Sequence, residues 1–91
     1  MERVRSRVIV HGVVQGVFFR DTCRRTALDL GVAGWVHNLP DGTVEAVFEG
    51  PVAAVARMLD WAHRGPSGAE VTRVQLHEEA PEALEGFEIR A

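Results

Sequence analysis

Hydrophobic and polar residues alternate along the first segment of the chain. In residues 3–13, arginines interleave with apolar residues (Arg3, Arg5 and Arg7 against Val4, Val8 and Val10), and a period of two is typical of a strand with one buried face. Residues 20–30 instead continue an apolar stripe at helical spacing, made by Phe19, Cys23, Ala27 and Leu30, until Gly31 supplies a helix stop. The pattern therefore predicts a strand followed by a helix.

The middle of the chain predicts a hairpin and a second helix. Residues 32–38 and 43–49 favour strands, and Leu39-Pro40-Asp41-Gly42 between them is a strong turn signal. Gly50-Pro51 is typical of a helix start with proline at the first helical position, and Gly65-Pro66 ends that helix. Its apolar face would carry Val52, Val55, Leu59 and Ala62, which leaves Trp61 beside the face and partly exposed.

The last third predicts a fourth strand over residues 70–77, an acidic solvated connector from Glu78 to Glu85, and a short fifth strand at residues 87–90. The order of elements is the split βαβ plan of a ferredoxin-like α+β sandwich, βαββαβ. Two amphipathic helices would pack on one face of a mostly antiparallel sheet of four to five strands. We expect the early arginines to line the exposed sheet face, and residues 1–91 to form a single domain.

Composition narrows the functional classes. A formal net charge of −3 disfavours a general nucleic-acid binder. No apolar run approaches the roughly 20 residues that span a membrane, and the first residues lack the apolar segment of a secretory signal. The lone Cys23 has no partner for a disulfide or a CxxC pair, and it falls on the apolar helix stripe. We therefore expect a cytoplasmic monomer without a membrane or nucleic-acid partner.

Metal and cofactor chemistry has little support in the pattern. The four histidines, His11, His37, His63 and His77, are not spaced as metal ligands on a helix, and no cysteine pair accompanies them. We expect no metal site and no cofactor.

The junction between the first strand and the first helix is a candidate anion site. It reads His11-Gly12-Val13-Val14-Gln15-Gly16-Val17-Phe18-Phe19-Arg20. Gly12 and Gly16 permit backbone conformations that turn N–H groups inward, and a helix start offers unpaired N–H groups and partial positive charge. Arg20 adds a planar fork of donors that fits phosphate oxygens. Taken alone, Arg20 has a simpler interpretation as a surface residue.

Asn38 is the second candidate. In a split βαβ unit, the end of the second strand can approach the turn after the first, so Arg20 and Asn38 could form a phosphoryl-transfer site. Arg20 would hold the phosphoryl oxygens while Asn38 orients a water, and an acyl phosphate needs no general acid because its leaving group is a carboxylate. On spacing alone, an asparagine before a tight turn is more often there to cap or bond its own backbone. Asp21 is interpreted as a carboxylate that stabilises the helix start by interacting favourably with the helix dipole, rather than as a general base.

Two segments resemble the acylphosphatase family. Gly12 to Arg20, Gly-Val-Val-Gln-Gly-Val-Phe-Phe-Arg, is similar to the phosphate-binding signature of that family, and residues 34–50, Gly-Trp-Val-His-Asn-Leu-Pro-Asp-Gly-Thr-Val-Glu-Ala-Val-Phe-Glu-Gly, are similar to its second signature. The resemblance covers essentially the whole chain, including the order of its elements. One position departs from the pattern, because His37 stands where the family often has lysine or arginine.

The resemblance implies metal-independent, cofactor-free hydrolysis of the carboxyl-phosphate bond, giving a carboxylate and inorganic phosphate. It implies that Arg20 binds the phosphate and that Asn38 positions the attacking water. The phosphate loop would be the backbone of Gln15, Gly16, Val17, Phe18 and Phe19. Strand alternation predicts that His37 points away from Asn38. Two alternatives stay open at this point: a non-catalytic anion- or partner-binding module of the same fold and, more weakly, an RNA-binding domain.

Overall fold

The computed structural model describes residues 2–91, so Met1 of the predicted domain lies outside the described residues. The elements follow in the order β1 (Arg3–Val13), α1 (Phe19–Leu30), β2 (Ala33–Asn38), β3 (Val44–Pro51), α2 (Val52–Arg64), β4 (Glu70–Glu79) and β5 (Phe87–Ile89). This order confirms the predicted βαββαβ plan with a fifth strand. The architecture is the ferredoxin-like α+β fold.

The order of strands in the sheet decides where the candidate residues meet. The order is β4-β1-β3-β2-β5, and every pairing is antiparallel except that of β2 with β5. Since β1 and β2 both run antiparallel to β3, they run parallel to each other. Val10 near the end of β1 and Asn38 at the end of β2 both pair with Val44. The loop after β1 and the end of β2 therefore lie at the same edge of the sheet.

The core lies between the helices and one face of the sheet. Strand alternation sends Val8 and Val10 of β1 and Phe48 of β3 into this layer, where apolar burial stabilises the fold. The ring of Phe48 lies 6.2 Å from that of Phe87, which brings β5 into the same core. Further core residues come from the helices and β2: Phe19, Cys23, Ala27, Val36, Val55, Met58 and Ala62.

Helix α2 differs from its prediction in three ways. Trp61 is buried, only 9% exposed, because its ring packs 5.0 Å from that of Phe19 on α1. Val52 is 47% exposed. Pro51 is the N-cap rather than the first helical residue, since its ψ of 143° is extended and it still pairs with Arg3 in the sheet.

The open face of the sheet is also more buried than predicted. Arg5 is 8% exposed and Glu49 is fully buried, because residues 80–86, here called the strap, cross this face. The N–H groups of Glu82 and Leu84 donate to the two carboxylate oxygens of Glu49 at 2.8 and 2.7 Å. The predicted acidic connector is largely exposed, as expected. Its start was misplaced, because β4 extends to Glu79, and its backbone is anchored to a buried carboxylate, which was not predicted.

Candidate active site

The loop between β1 and α1 has a backbone suited to anion binding. Gly16 has a φ of 74°, and Phe18 has φ 60° and ψ 26°, so both lie in the left-handed region. A phenylalanine in that region costs on the order of 1–3 kcal/mol, and such strain clusters at functional sites. Left-handed residues in a short loop turn neighbouring N–H groups toward one point. Gly12, by contrast, lies in β1, where a side chain would meet the Glu70 carbonyl oxygen at 2.0 Å.

Helix α1 begins directly at this loop. Its N-cap is Phe18, which makes no side-chain cap hydrogen bond, and the Phe18 carbonyl accepts from the Thr22 N–H at 3.0 Å. The N–H groups of the first turn therefore face the loop with the positive end of the helix dipole behind them. Asp21 is the acidic residue of that turn, as expected for a carboxylate that favours the dipole.

A pocket of about 360 Å³ lies at this edge of the sheet and contains both Arg20 and Asn38. Its other lining residues are Val14, Gly16, Phe18, Phe19, Asp21 and Ile89. Of the predicted loop, Gln15 and Val17 do not line it. Val14, Asp21 and Ile89 were not predicted, and Ile89 arrives from β5, far along the chain, with no signal in the sequence to place it there.

The two candidate side chains differ in their surroundings. Arg20 is exposed at the helix start and forms no ion pair within residues 2–91. Asn38 is half-buried, and its Oδ1 is fully buried without a hydrogen-bond partner in the described chain. A buried acceptor without a partner costs about 1–3 kcal/mol. Arg20 therefore offers the pocket a guanidinium without an ion pair in the described chain, and Asn38 lines the same pocket with an amide oxygen that is not already bonded there.

The β2–β3 hairpin that carries Asn38 is tightly braced. Asp41 Oδ1 accepts from the Thr43 N–H at 3.0 Å and from the Thr43 hydroxyl at 2.6 Å, and these bonds hold the pKa of Asp41 below its ordinary value. Leu39 N–H donates to the Thr43 carbonyl at 2.9 Å. The Gln15 amide also donates to this hairpin, at 2.8 Å to the Leu39 carbonyl and 2.9 Å to the Thr43 carbonyl.

His37 and Cys23 lie away from the pocket. His37 Nε2 lies 2.6 Å from Glu45 Oε1 on the open face of the sheet, opposite to Asn38 as strand alternation predicts. Cys23 is fully buried, and this burial raises the pKa of its thiol, so it behaves as a small core residue.

Residues 2–91 contain neither a metal-binding cluster of side chains nor a helix suited to cross a membrane. No three His, Cys, Asp or Glu side chains in this part of the chain are grouped to hold a metal. Neither helix in it has the length and apolar character that a membrane crossing requires.

The chain is similar to known proteins both in sequence and in structure. The acylphosphatase family model matches residues 6–89. An acylphosphatase of Thermococcus kodakarensis is 55% identical over 89 residues, which cover 98% of each chain. Two solved acylphosphatases are similar in structure. That of Bacillus subtilis has a TM-score of 0.93 at 35% identity, covering 97% of this chain and 99% of its own. That of Coxiella burnetii has a TM-score of 0.92 at 38% identity, covering 97% and 93%.

Proposed function

The chain belongs to the acylphosphatase family and hydrolyses acyl phosphates, and we propose that its catalytic groups are Arg20, Asn38 and the backbone of residues 15–20. The observation that carries this assignment is the shared pocket: Arg20, which forms no ion pair within residues 2–91, and Asn38, whose amide oxygen has no hydrogen-bond partner there, line the same cavity beside a left-handed loop. Phosphoryl transfer depends mainly on such positioning and electrostatics.

In the proposed reaction, loop N–H groups and Arg20 bind the non-bridging oxygens of the phosphoryl group. The Arg20 fork offsets the negative charge that these oxygens carry in the transition state. Asn38 Oδ1 accepts a hydrogen bond from water and aims the water oxygen at phosphorus. As the new P–O bond forms, the bond to the acyl oxygen breaks, and its electron pair leaves with the carboxylate. The water proton passes to solvent, and no metal or cofactor takes part.

The test is phosphate release from benzoyl phosphate with a chelator present. We expect Arg20→Lys to lose most activity, because an ammonium keeps the charge but not the two-pronged geometry. Arg25→Lys is the matched control, since Arg25 is an exposed arginine on the same helix that does not line this pocket. Equal activity of Arg20→Lys and the control would exclude Arg20 from the mechanism, and loss of wild-type activity with the chelator would show a metal requirement.

Asn38→Ala tests the second assignment. Removing one preorganised polar group costs about 10²–10³ in rate, and we expect this loss in kcat with little change in the Ki of inorganic phosphate, because the amide is assigned to the water. Unchanged kcat would refute the assignment.

We further propose that residues 1–91 act as one monomeric, cytoplasmic domain without a nucleic-acid partner. Arginines of the open face are already paired with carboxylates, Arg5 with Glu79 at 2.9 Å and Arg7 with Glu45 at 3.1 Å, so they are not free for phosphates. An unpaired thiol at Cys23 suits a reducing compartment. Light scattering and a gel shift at low salt test the oligomeric state and RNA binding.

A further inference from the structure

Gln15 makes a contact that phosphate binding by the loop backbone does not require. Its side chain leaves the loop and reaches the β2–β3 hairpin, where Nε2 donates to the Leu39 carbonyl at 2.8 Å and to the Thr43 carbonyl at 2.9 Å. A primary amide has two donor hydrogens, so both are used. The two accepting carbonyls belong to the residue directly after Asn38 and to the residue before Val44, which pairs with Asn38.

The sheet does not provide this link by itself. β1 and β2 are not neighbours, because β3 lies between them. Within residues 2–91, the hydrogen bonds that join loop residues 14–18 to hairpin residues 38–43 all come from Gln15. The loop between β1 and α1, residues 16–20, would hold the phosphoryl group, and the β2–β3 hairpin carries Asn38. The Gln15 amide links these two parts directly by hydrogen bonds.

We propose that Gln15 is a positioning residue for acyl phosphate hydrolysis, which holds the loop and the hairpin so that the water bound by Asn38 faces the phosphorus atom. This inference rests on the proposed roles of Arg20 and Asn38. A displacement of about 1 Å at a reacting centre can cost about 10²-fold in rate. The phosphate ligands all lie on one segment, so releasing the tether would disturb the attack of water more than the binding of phosphate.

Gln15→Met is the first test, because methionine has a similar length and no amide. We expect kcat for benzoyl phosphate to fall by about 10- to 100-fold, while the Ki of inorganic phosphate changes little. Gln75→Met is the matched control: the Gln75 amide bonds His11 at 2.7 Å across β1 and β4, away from the pocket. The control should keep wild-type kcat. Equal kcat in Gln15→Met and wild type would overturn the proposal, as would a parallel loss in both Gln variants.

A double-mutant cycle with Asn38→Ala separates positioning from a general structural role. If Gln15 acts through Asn38, its removal costs nothing further once Asn38 is gone, so the double variant should match Asn38→Ala alone. Additive losses would overturn the role of Gln15 while leaving that of Asn38 intact. Unchanged kcat in Asn38→Ala itself would instead refute the proposed role of Asn38, and this inference with it.

Gln15→Glu adds a readout that remains usable if Gln15→Met fails to fold. An ionised carboxylate cannot donate to the two carbonyls, whereas a protonated carboxyl can donate to one of them. Two carbonyl oxygens beside the new carboxyl favour its neutral form and raise its pKa above the usual ~4.3. We therefore expect the kcat of Gln15→Glu, relative to wild type, to rise as the pH falls through that pKa. A ratio independent of pH would overturn the proposal.

Discussion

Replacing Glu49 tests the network of charged side chains on the open face of the sheet. Its carboxylate is fully buried on the open face, where the strap crosses. One oxygen accepts from the Glu82 N–H at 2.8 Å and the other from the Leu84 N–H at 2.7 Å, while Arg5 lies 3.6 Å and Arg3 3.8 Å away. Glu49→Gln keeps the shape of this side chain and removes its charge.

The expected cost follows from these contacts. Glutamine retains one carbonyl oxygen for the strap but presents an NH₂ group to the other N–H, so one charge-assisted hydrogen bond of about 1.5–3 kcal/mol is lost. Removing one partner of a buried ion pair costs about 3–5 kcal/mol. Arg5 still has its ion pair with Glu79 at 2.9 Å in the variant. We therefore expect a loss of unfolding free energy at the lower end of this range, about 3 kcal/mol. Each kcal/mol lowers the Tm of a domain this size by about 4–8 °C, so Tm should fall by about 12–24 °C.

The pH dependence provides a second signature. Burial raises the pKa of Glu49, but the hydrogen bonds from Glu82 and Leu84 and the charges of Arg5 and Arg3 outweigh it and hold the pKa below its ordinary value of 4.5. A carboxyl group whose pKa is lower in the folded than in the unfolded state stabilises the folded protein at pH values above its unfolded-state pKa. This contribution is lost as the pH falls through the folded-state pKa. The difference in unfolding free energy between wild type and Glu49→Gln should therefore be largest near neutral pH and shrink on acidification.

Urea unfolding followed by tryptophan fluorescence, at neutral pH and at several acidic values, measures both effects. Glu88→Gln is the control, because Glu88 is an exposed carboxylate with a 3.7 Å pair to Arg90, and surface pairs contribute little. Two results would refute this account of the strap. One is an unfolding free energy of Glu49→Gln within about 0.5 kcal/mol of wild type at neutral pH, and the other is a difference between the two that stays constant on acidification.

Three further predictions concern the packed layers. Gly34→Ala should abolish soluble folded protein, measured by circular dichroism, because φ is 145° and a Cβ would lie 1.8 Å from the Val47 carbonyl oxygen. Trp61→Ala should lower the unfolding free energy by about 3–5 kcal/mol in urea titrations, since the ring is buried against Phe19. Cys23 should react with a thiol reagent only through opening of the fold, because its side chain is fully buried and this burial also raises the pKa of its thiol; rapid labelling of native protein would contradict that burial.

The fold was largely predictable because its periodic signals are local. Alternating valines fix which face of β1 is buried, and Gly31 ends α1 with a φ of 72°, as expected for a left-handed helix stop. The position of Trp61 was not predictable from its own helix. Its burial depends on Phe19, which is contributed by α1, and helical spacing in α2 does not record where another helix packs.

The site was predictable to a lesser extent. Motif resemblance indicated Arg20 and Asn38, and the sheet order brings both to one pocket, which the sequence could only suggest. The contributions of Gln15 and Ile89 depend on contacts between segments distant along the chain. A glutamine in a loop has no periodic signal that reveals its acceptors, and the acidic run before β5 does not reveal that a buried carboxylate binds its backbone.

These long-range contacts are what complete the pocket. The strap anchored by Glu49 leads into β5, which joins the sheet through the Gly34 N–H to the Gly86 carbonyl at 3.0 Å and the Arg90 N–H to the Val36 carbonyl at 2.9 Å. That pairing places Ile89 on the pocket wall. The loop proposed to bind phosphate depends on local backbone geometry, whereas its position relative to Asn38 and Ile89 depends on separate long-range contacts. Weakening the strap should therefore loosen the pocket wall formed by Ile89, and removing the Gln15 hydrogen bonds should displace Asn38 and the water that we propose it holds.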